Sequence, residues 1–193
     1  MVRDLKTAAT LLVVMAVLTG LVYPLAMTGV GQLAFPGRAN GSLVRWHGRV
    51  VGSRLIGQYF RGKGFFWSRP SATAPAPYNA DGSAASNLGP DNPILLQHVA
   101  ARVRLLRAAD PTAHGPVPVD LVTSSGSGLD PDISLAAARF QLNRVAAQTG
   151  ISKRRLTALL ARHTTRPLFA FMGEPVINVL AVNLAIERIR ERR

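Results

Sequence analysis

The feature that most constrains this chain lies at its start. From Thr7 through Met27 the sequence TAATLLVVMAVLTGLVYPLAM carries no charged residue. At about 1.5 Å of rise per residue, a helix of that length crosses the ~30 Å hydrocarbon core of a bilayer. The run predicts a transmembrane helix at residues 7–27, a short N-terminus at residues 1–6 and one domain at residues 28–193. A cleaved signal peptide is the rival reading, with Gly29-Val30-Gly31 as a small-residue cleavage site. The apolar run exceeds the usual h-region of about 7–15 residues, which favours an uncleaved anchor.

Charge orients the helix only weakly. Arg3 and Lys6 precede it, and Arg38, Arg45, Arg49 and Arg54 follow it. Long downstream domains translocate largely regardless of charge, so the short basic N-terminus is the relevant cue. It places the N-terminus in the cytoplasm and residues from about Phe35 onward outside it. The formal charge of +13 would otherwise raise nucleic acid as a partner, and the membrane segment overrides that expectation. No cysteine is present, which removes disulfides and thiolate metal sites. Within the helix, Ala9, Ala16 and Gly20 share a face at spacings of seven and four, and the Ala16–Gly20 step is a small-xxx-small pattern that admits a neighbouring helix. Pro24 frees a backbone carbonyl that a neighbour or water must satisfy.

Beyond the anchor, glycines punctuate short β-branched runs between Phe35 and Phe60, which reads as short strands and tight turns. Phe65 to Ser83 is too rich in proline to be helical. Asn92-Pro93 is a helix start, with Leu95, Val99, Val103 and Leu106 forming an apolar stripe that runs toward Asp110-Pro111. Val117 to Val122 reads as a short strand with Pro118 at a sheet edge. Ser134 and Gly150 bracket a further helix, Ser152 starts another, and Glu174-Pro175 opens the last, whose Ile177, Leu180, Leu184 and Ile186 face a core. The expected fold is α+β: one transmembrane helix followed by a single domain of short strands and about four helices.

The chemical question centres on Val122 to Ser134, VTSSGSGLDPDIS. It lacks the lysine of a P-loop, and Gly126 and Gly128 supply only two glycines of a dinucleotide fingerprint. Nor does it present a nucleophile elbow. A Ser/Gly turn before a helix still offers N–H groups to an anion, so Ser125, Gly126, Ser127 and Gly128 stand as the candidate nucleotide or anion contact. The four histidines give no metal-ligand spacing, so no metal is expected. A Ser-His-Asp set can be drawn from Ser125 or Ser127, His163 and Asp120 or Asp130, giving a second reading as a membrane-anchored external serine hydrolase.

Six blocks in order resemble one family. They are LTGLVYPLAMTGVGQLAFPGRANGS (Leu18 to Ser42), VGSRLIGQYF (Val51 to Phe60), FFWSRPSA (Phe65 to Ala72), SNLGPDNP (Ser86 to Pro93), VPVDLVTSSGSGLDPDIS (Val117 to Ser134) and GEPVINVLAVN (Gly173 to Asn183). Together they resemble the C subunit of the Kdp potassium-transporting ATPase. One departure is Asp132, which stands where the family pattern carries histidine, so a role needing imidazole there does not carry over.

The resemblance implies a single-pass accessory subunit of an inner-membrane, ATP-driven potassium uptake complex, with its domain periplasmic or extracellular. Its partners would be the potassium-translocating and ATP-hydrolysing subunits and a small membrane subunit. It implies no catalytic residue and no tightly bound cofactor in this chain. The family is described as a catalytic chaperone that raises the ATP affinity of the catalytic subunit, with the Ser/Gly block put forward for nucleotide contact. That description strains against the topology, since ATP is scarce outside the cytoplasm.

Overall fold

In the computed structural model the apolar run is helical well past both of its predicted ends. Helix α1 (Val2–Val17) passes through a π-helical turn (Leu18–Val22) into α2 (Tyr23–Ala34). The whole helix of 33 residues is about 50 Å long and has no buried residue in its most apolar window. The π turn sits where Pro24 has no N–H to give: the Tyr23 N–H donates to the Leu18 carbonyl, five residues back. The threonine hydroxyls of the apolar run are met locally, those of Thr7, Thr10 and Thr19 donating to the carbonyls of Arg3, Lys6 and Met15.

The structure describes residues 1–169, 171 and 173–192, in two units, Met1–Val51 and Gly52–Arg193. The first unit continues through α3 (Pro36–Ala39) into β1 (Leu43–Trp46), which pairs with β2 (Arg49–Ser53). His47 and Gly48 join the strands at φ of 47° and 78°. Two positive φ angles suit the right-handed twist of a tight hairpin, as the glycine-punctuated sequence led one to expect.

In the second unit, helix α4 (Pro93–Ala109) begins at Asn92, whose side chain accepts from the Ile94 N–H at 2.9 Å. Leu106 is buried, with Val99 and Val103 packed on the core. The expected strand at 117–122 is instead a 3-10 turn (Val119–Leu121). The reason lies in the side chains. Asp120 and Leu121 are both buried, and two successive inward residues cannot be met by a strand, whose side chains alternate.

Strand β3 (Asp132–Ser134) leads into α5 (Leu135–Thr149), capped by Ser134 accepting from the Ala137 N–H at 3.0 Å and ended by Gly150 at φ 68°. Helix α6 (Lys153–His163) starts at Ser152, and β4 (Thr164–Thr165) follows. The last helix begins later than Glu174-Pro175. Val176 to Asn178 form β5 first, and Asn178 then caps α7 (Val179–Glu191), accepting from the Ala181 N–H at 3.1 Å. The β-branched pair Val176-Ile177 is drawn into the centre of an antiparallel sheet, β3–β5–β4, with Ile133 opposite Ile177. Thus β3–α5 and β5–α7 repeat one pattern, a three-residue strand whose last residue caps a helix. Ile133, Ile177, Val145, Leu156, Leu160 and Ile186 make the core beneath them; Ile177, Leu180 and Ile186 are buried as expected, while Leu184 remains partly exposed.

Residues 54–92 carry no helix or strand, yet Phe66, Trp67, Ser68 and Thr73 among them are buried. Two helices supply the missing backbone partners. Asn183 of α7 accepts from the Phe66 N–H at 2.8 Å and donates to the Phe66 carbonyl at 3.0 Å. Gln141 of α5 does the same for Trp67, at 2.7 and 3.1 Å. Arg144 donates to the Lys63 and Phe65 carbonyls and to Gln141, its guanidinium 4.2 Å from the centre of the Trp67 ring. Burial lowers the Arg144 pKa to about 10, against the attraction of Asp110. The amides do the work of a neighbouring strand.

Candidate functional site

The Ser/Gly loop is built from inside. Ser125 Oγ accepts from the Gly128 N–H at 2.9 Å, Ser127 Oγ accepts from the Leu129 N–H at 3.1 Å, and Asp130 Oδ1 accepts from the Asp132 N–H at 3.0 Å. These are side-chain-to-backbone turns of the kind Ser and Asp favour. The outward carbonyls are tied as well. Ala84 N–H and Ser83 Oγ donate to Ser127 O, Ser71 Oγ to Gly128 O at 2.7 Å, and Gly57 N–H to Leu129 O at 2.8 Å. Three consecutive carbonyls of the loop are thus held by the irregular segment.

Gly128 is where this bracing needs glycine. It is buried at φ +67°, and a Cβ there would lie 2.5 Å from the Ala84 carbonyl oxygen and 2.9 Å from Thr73 Cγ2. Gly126, two residues earlier, is exposed, and a Cβ there would meet nothing within 4 Å. Ser71 is the hub on the other side, accepting from the Tyr78 N–H at 2.9 Å while it donates to Gly128 O. The Tyr78 hydroxyl donates to the Arg69 carbonyl at 2.8 Å, and burial pushes its pKa up to about 12, so it keeps its proton as a donor.

Arg69 reaches the loop directly: its guanidinium pairs with Asp130 at 3.1 Å. This pair separates two open depressions. One, of about 590 Å³, is bordered by Leu55, Arg69 and the candidate residues Ser125, Gly126 and Ser127; Gly128 is not at its edge. The other, of about 480 Å³, is bordered by Arg69, Asp120, Asp130, Asp132 and Glu174. The aspartates there are already engaged. Asp120 accepts from the Ser134 N–H at 2.7 Å, and Asp132 accepts from Asn178 Nδ2 at 3.1 Å. Burial raises the Asp132 pKa, with the Asn178 amide pulling it back. Asp132 therefore braces β3 against β5. No group of three or more metal-ligating side chains is placed to hold an ion among the described residues.

Of the Ser-His-Asp set, Ser125, Ser127 and Asp130 border one depression, whose lining does not include His163, the last residue of α6. The two serine hydroxyls accept from their own backbone, Asp130 pairs with Arg69, and Asp120 accepts from the Ser134 N–H. The helix-packing candidates belong to the first unit: Ala9 and Ala16 in α1 and Gly20 in the π turn, all exposed. Gln141, Arg144 and Asn183 were missed in the sequence. The trace they leave there is a polar residue on an otherwise apolar helix face, as Asn183 in VLAVNLAI.

These features define a class: a small α+β domain carried on one helix long and apolar enough to cross a membrane. The family model described as KdpC: K+-transporting ATPase, c chain, matches residues 5–188. The chain is 54% identical over 190 residues to the potassium-transporting ATPase KdpC subunit of Sorangium cellulosum, covering 98% of this chain and 100% of that one. It is 53% identical over 183 residues to the protein of the same name from Methylibium petroleiphilum, covering 95% of this chain and 96% of that one. The chain belongs to the KdpC family of potassium-transporting ATPase subunits.

Proposed function

We propose that this chain is a non-hydrolysing, single-pass subunit of an ATP-driven potassium uptake complex in the inner membrane, with its N-terminus cytoplasmic and residues 28–193 outside. The observation that carries the reading is the helix Val2–Ala34, whose apolar surface is unburied within the chain and carries the Ala16–Gly20 notch. Through that face it docks on the membrane helices of the potassium-translocating and ATP-hydrolysing subunits and of a small membrane subunit, while the outer domain steadies the ion entrance. The effect on ATP affinity is then indirect, exerted through assembly. The internal use of the Ser125 and Ser127 hydroxyls supports this, because it leaves them serving the turn.

Gly20 tests the docking face, since a Cβ there meets nothing in the chain itself. Gly20→Leu is expected to block close helix approach and to reduce recovery of the chain with its pump partners about tenfold, equivalent to ~1.4 kcal/mol. The chain alone should retain its fold. Co-purification of the Gly20→Leu variant at the parent level would overturn the docking face.

A further inference from the structure

A second site lies away from the Ser/Gly loop, on the flank of α4. There Tyr59, Phe60, Arg61, Trp67, Arg102 and Leu105 line a groove of about 320 Å³, at the small end of the range for ligand pockets. Its cations are stacked on its rings. The Arg61 guanidinium lies 4.7 Å from the centre of the Tyr59 ring, and that of Arg102 lies 5.8 Å from the Trp67 ring, with Arg144 on Trp67 as well. Arg102 is fixed by donating from Nε to the Leu121 carbonyl at 3.1 Å and from Nη2 to the Ser68 carbonyl at 3.2 Å.

What stands out is the charge balance. Among the described residues no carboxylate pairs with Arg61 or Arg102, so two guanidinium groups share one groove without a counter-charge. Burial lowers the Arg102 pKa, with the Tyr59 hydroxyl pulling it back. A desolvated cation held without an anion is costly, and an incoming anion relieves it. Arginine forks match the oxygens of phosphate, and the aromatic walls suit the apolar edge of an esterified one.

We propose that this groove binds a phosphate-type oxyanion, Arg61 and Arg102 contacting its oxygens and Tyr59, Phe60 and Leu105 its substituent. A free phosphate and a phospholipid headgroup share that chemistry. Arg61 is the residue to change, because it is exposed and makes no bond on which the core depends, whereas Arg102 holds two carbonyls.

The test uses the full chain in nanodiscs. Trp46→Phe leaves Trp67, which lines the groove, as the one tryptophan of the two. In zwitterionic nanodiscs at constant ionic strength, inorganic phosphate and glycerol phosphate should change Trp67 emission saturably if the site takes free anions. A change seen only when phosphatidylglycerol is built into the disc assigns the headgroup as the source. Either way Arg61→Gln should weaken the response about tenfold, as loss of one charge-assisted contact does, and Arg61→Lys should fall between. The proposal is overturned if Trp67 ignores all three anions, if sodium chloride reproduces the change, or if Arg61→Gln responds as the parent does.

Discussion

Gly128→Val is expected to destabilise the full chain by about 3 kcal/mol, seen as a fall of roughly 10 °C in the midpoint of thermal unfolding in detergent. Two penalties combine. The residue must hold φ +67°, which a β-branched side chain resists, and its Cβ would sit 2.5 Å from the Ala84 oxygen. That oxygen cannot easily retreat, because the Ala84 N–H is bonded to Ser127 O at 3.0 Å. Gly126→Ala is the matched control. With nothing within 4 Å of its Cβ, it should stay within about 0.5 kcal/mol of the parent. A loop that acted chiefly by touching a ligand would reverse the order of harm, with the exposed Gly126 sensitive in activity and the buried Gly128 unremarkable in stability. Equal midpoints for Gly128→Val and the parent would refute the bracing role.

Asn183→Leu should be nearly as damaging, at about 3 kcal/mol. Leucine is of similar size and apolar, so packing survives in part while the Phe66 N–H and carbonyl lose their partners, bonded now at 2.8 and 3.0 Å. Each buried group left unsatisfied costs ~1–3 kcal/mol. Asn183 is 2% exposed and Phe66 0%, so water cannot substitute without opening the core. Hydrogen exchange gives the specific readout: protection at Phe66 should fall far more than protection at Val145 in the core of α5. A uniform loss across both would mean a general packing defect, and no loss would refute the clamp.

These two residues also mark what the sequence could and could not convey. Helix starts were legible because Asn92, Ser134 and Ser152 are local signals, each satisfying an N–H two or three residues away. The long apolar run was legible for the same reason. The segment 117–122 was not, since a short apolar run favours a strand until Asp120 is seen accepting from the Ser134 N–H, fourteen residues away. Val176 to Asn178 were read into the last helix because strand pairing with β3 and β4 is a tertiary fact. The loop was recognised as a turn of Ser, Gly and Asp, but its anchor points, Ser71, Tyr78 and Ala84, lie in a stretch without periodicity. Clamps such as Asn183 to Phe66, 117 residues apart, leave no local pattern at all.

The proposed topology puts the Ser/Gly loop outside the cytoplasm, where it serves as a brace and leaves the chain to act by docking. Because the chain has no cysteine, a single Gly126→Cys change places one thiol on the open side of the loop, where a side chain meets no neighbour. Labelling with a membrane-impermeant maleimide in sealed right-side-out vesicles holding the full complex is the direct measurement. Modification without permeabilisation, to the same extent as after detergent is added, is the expected result. Protection in sealed vesicles with labelling only after permeabilisation would put the loop on the ATP side and overturn the external topology.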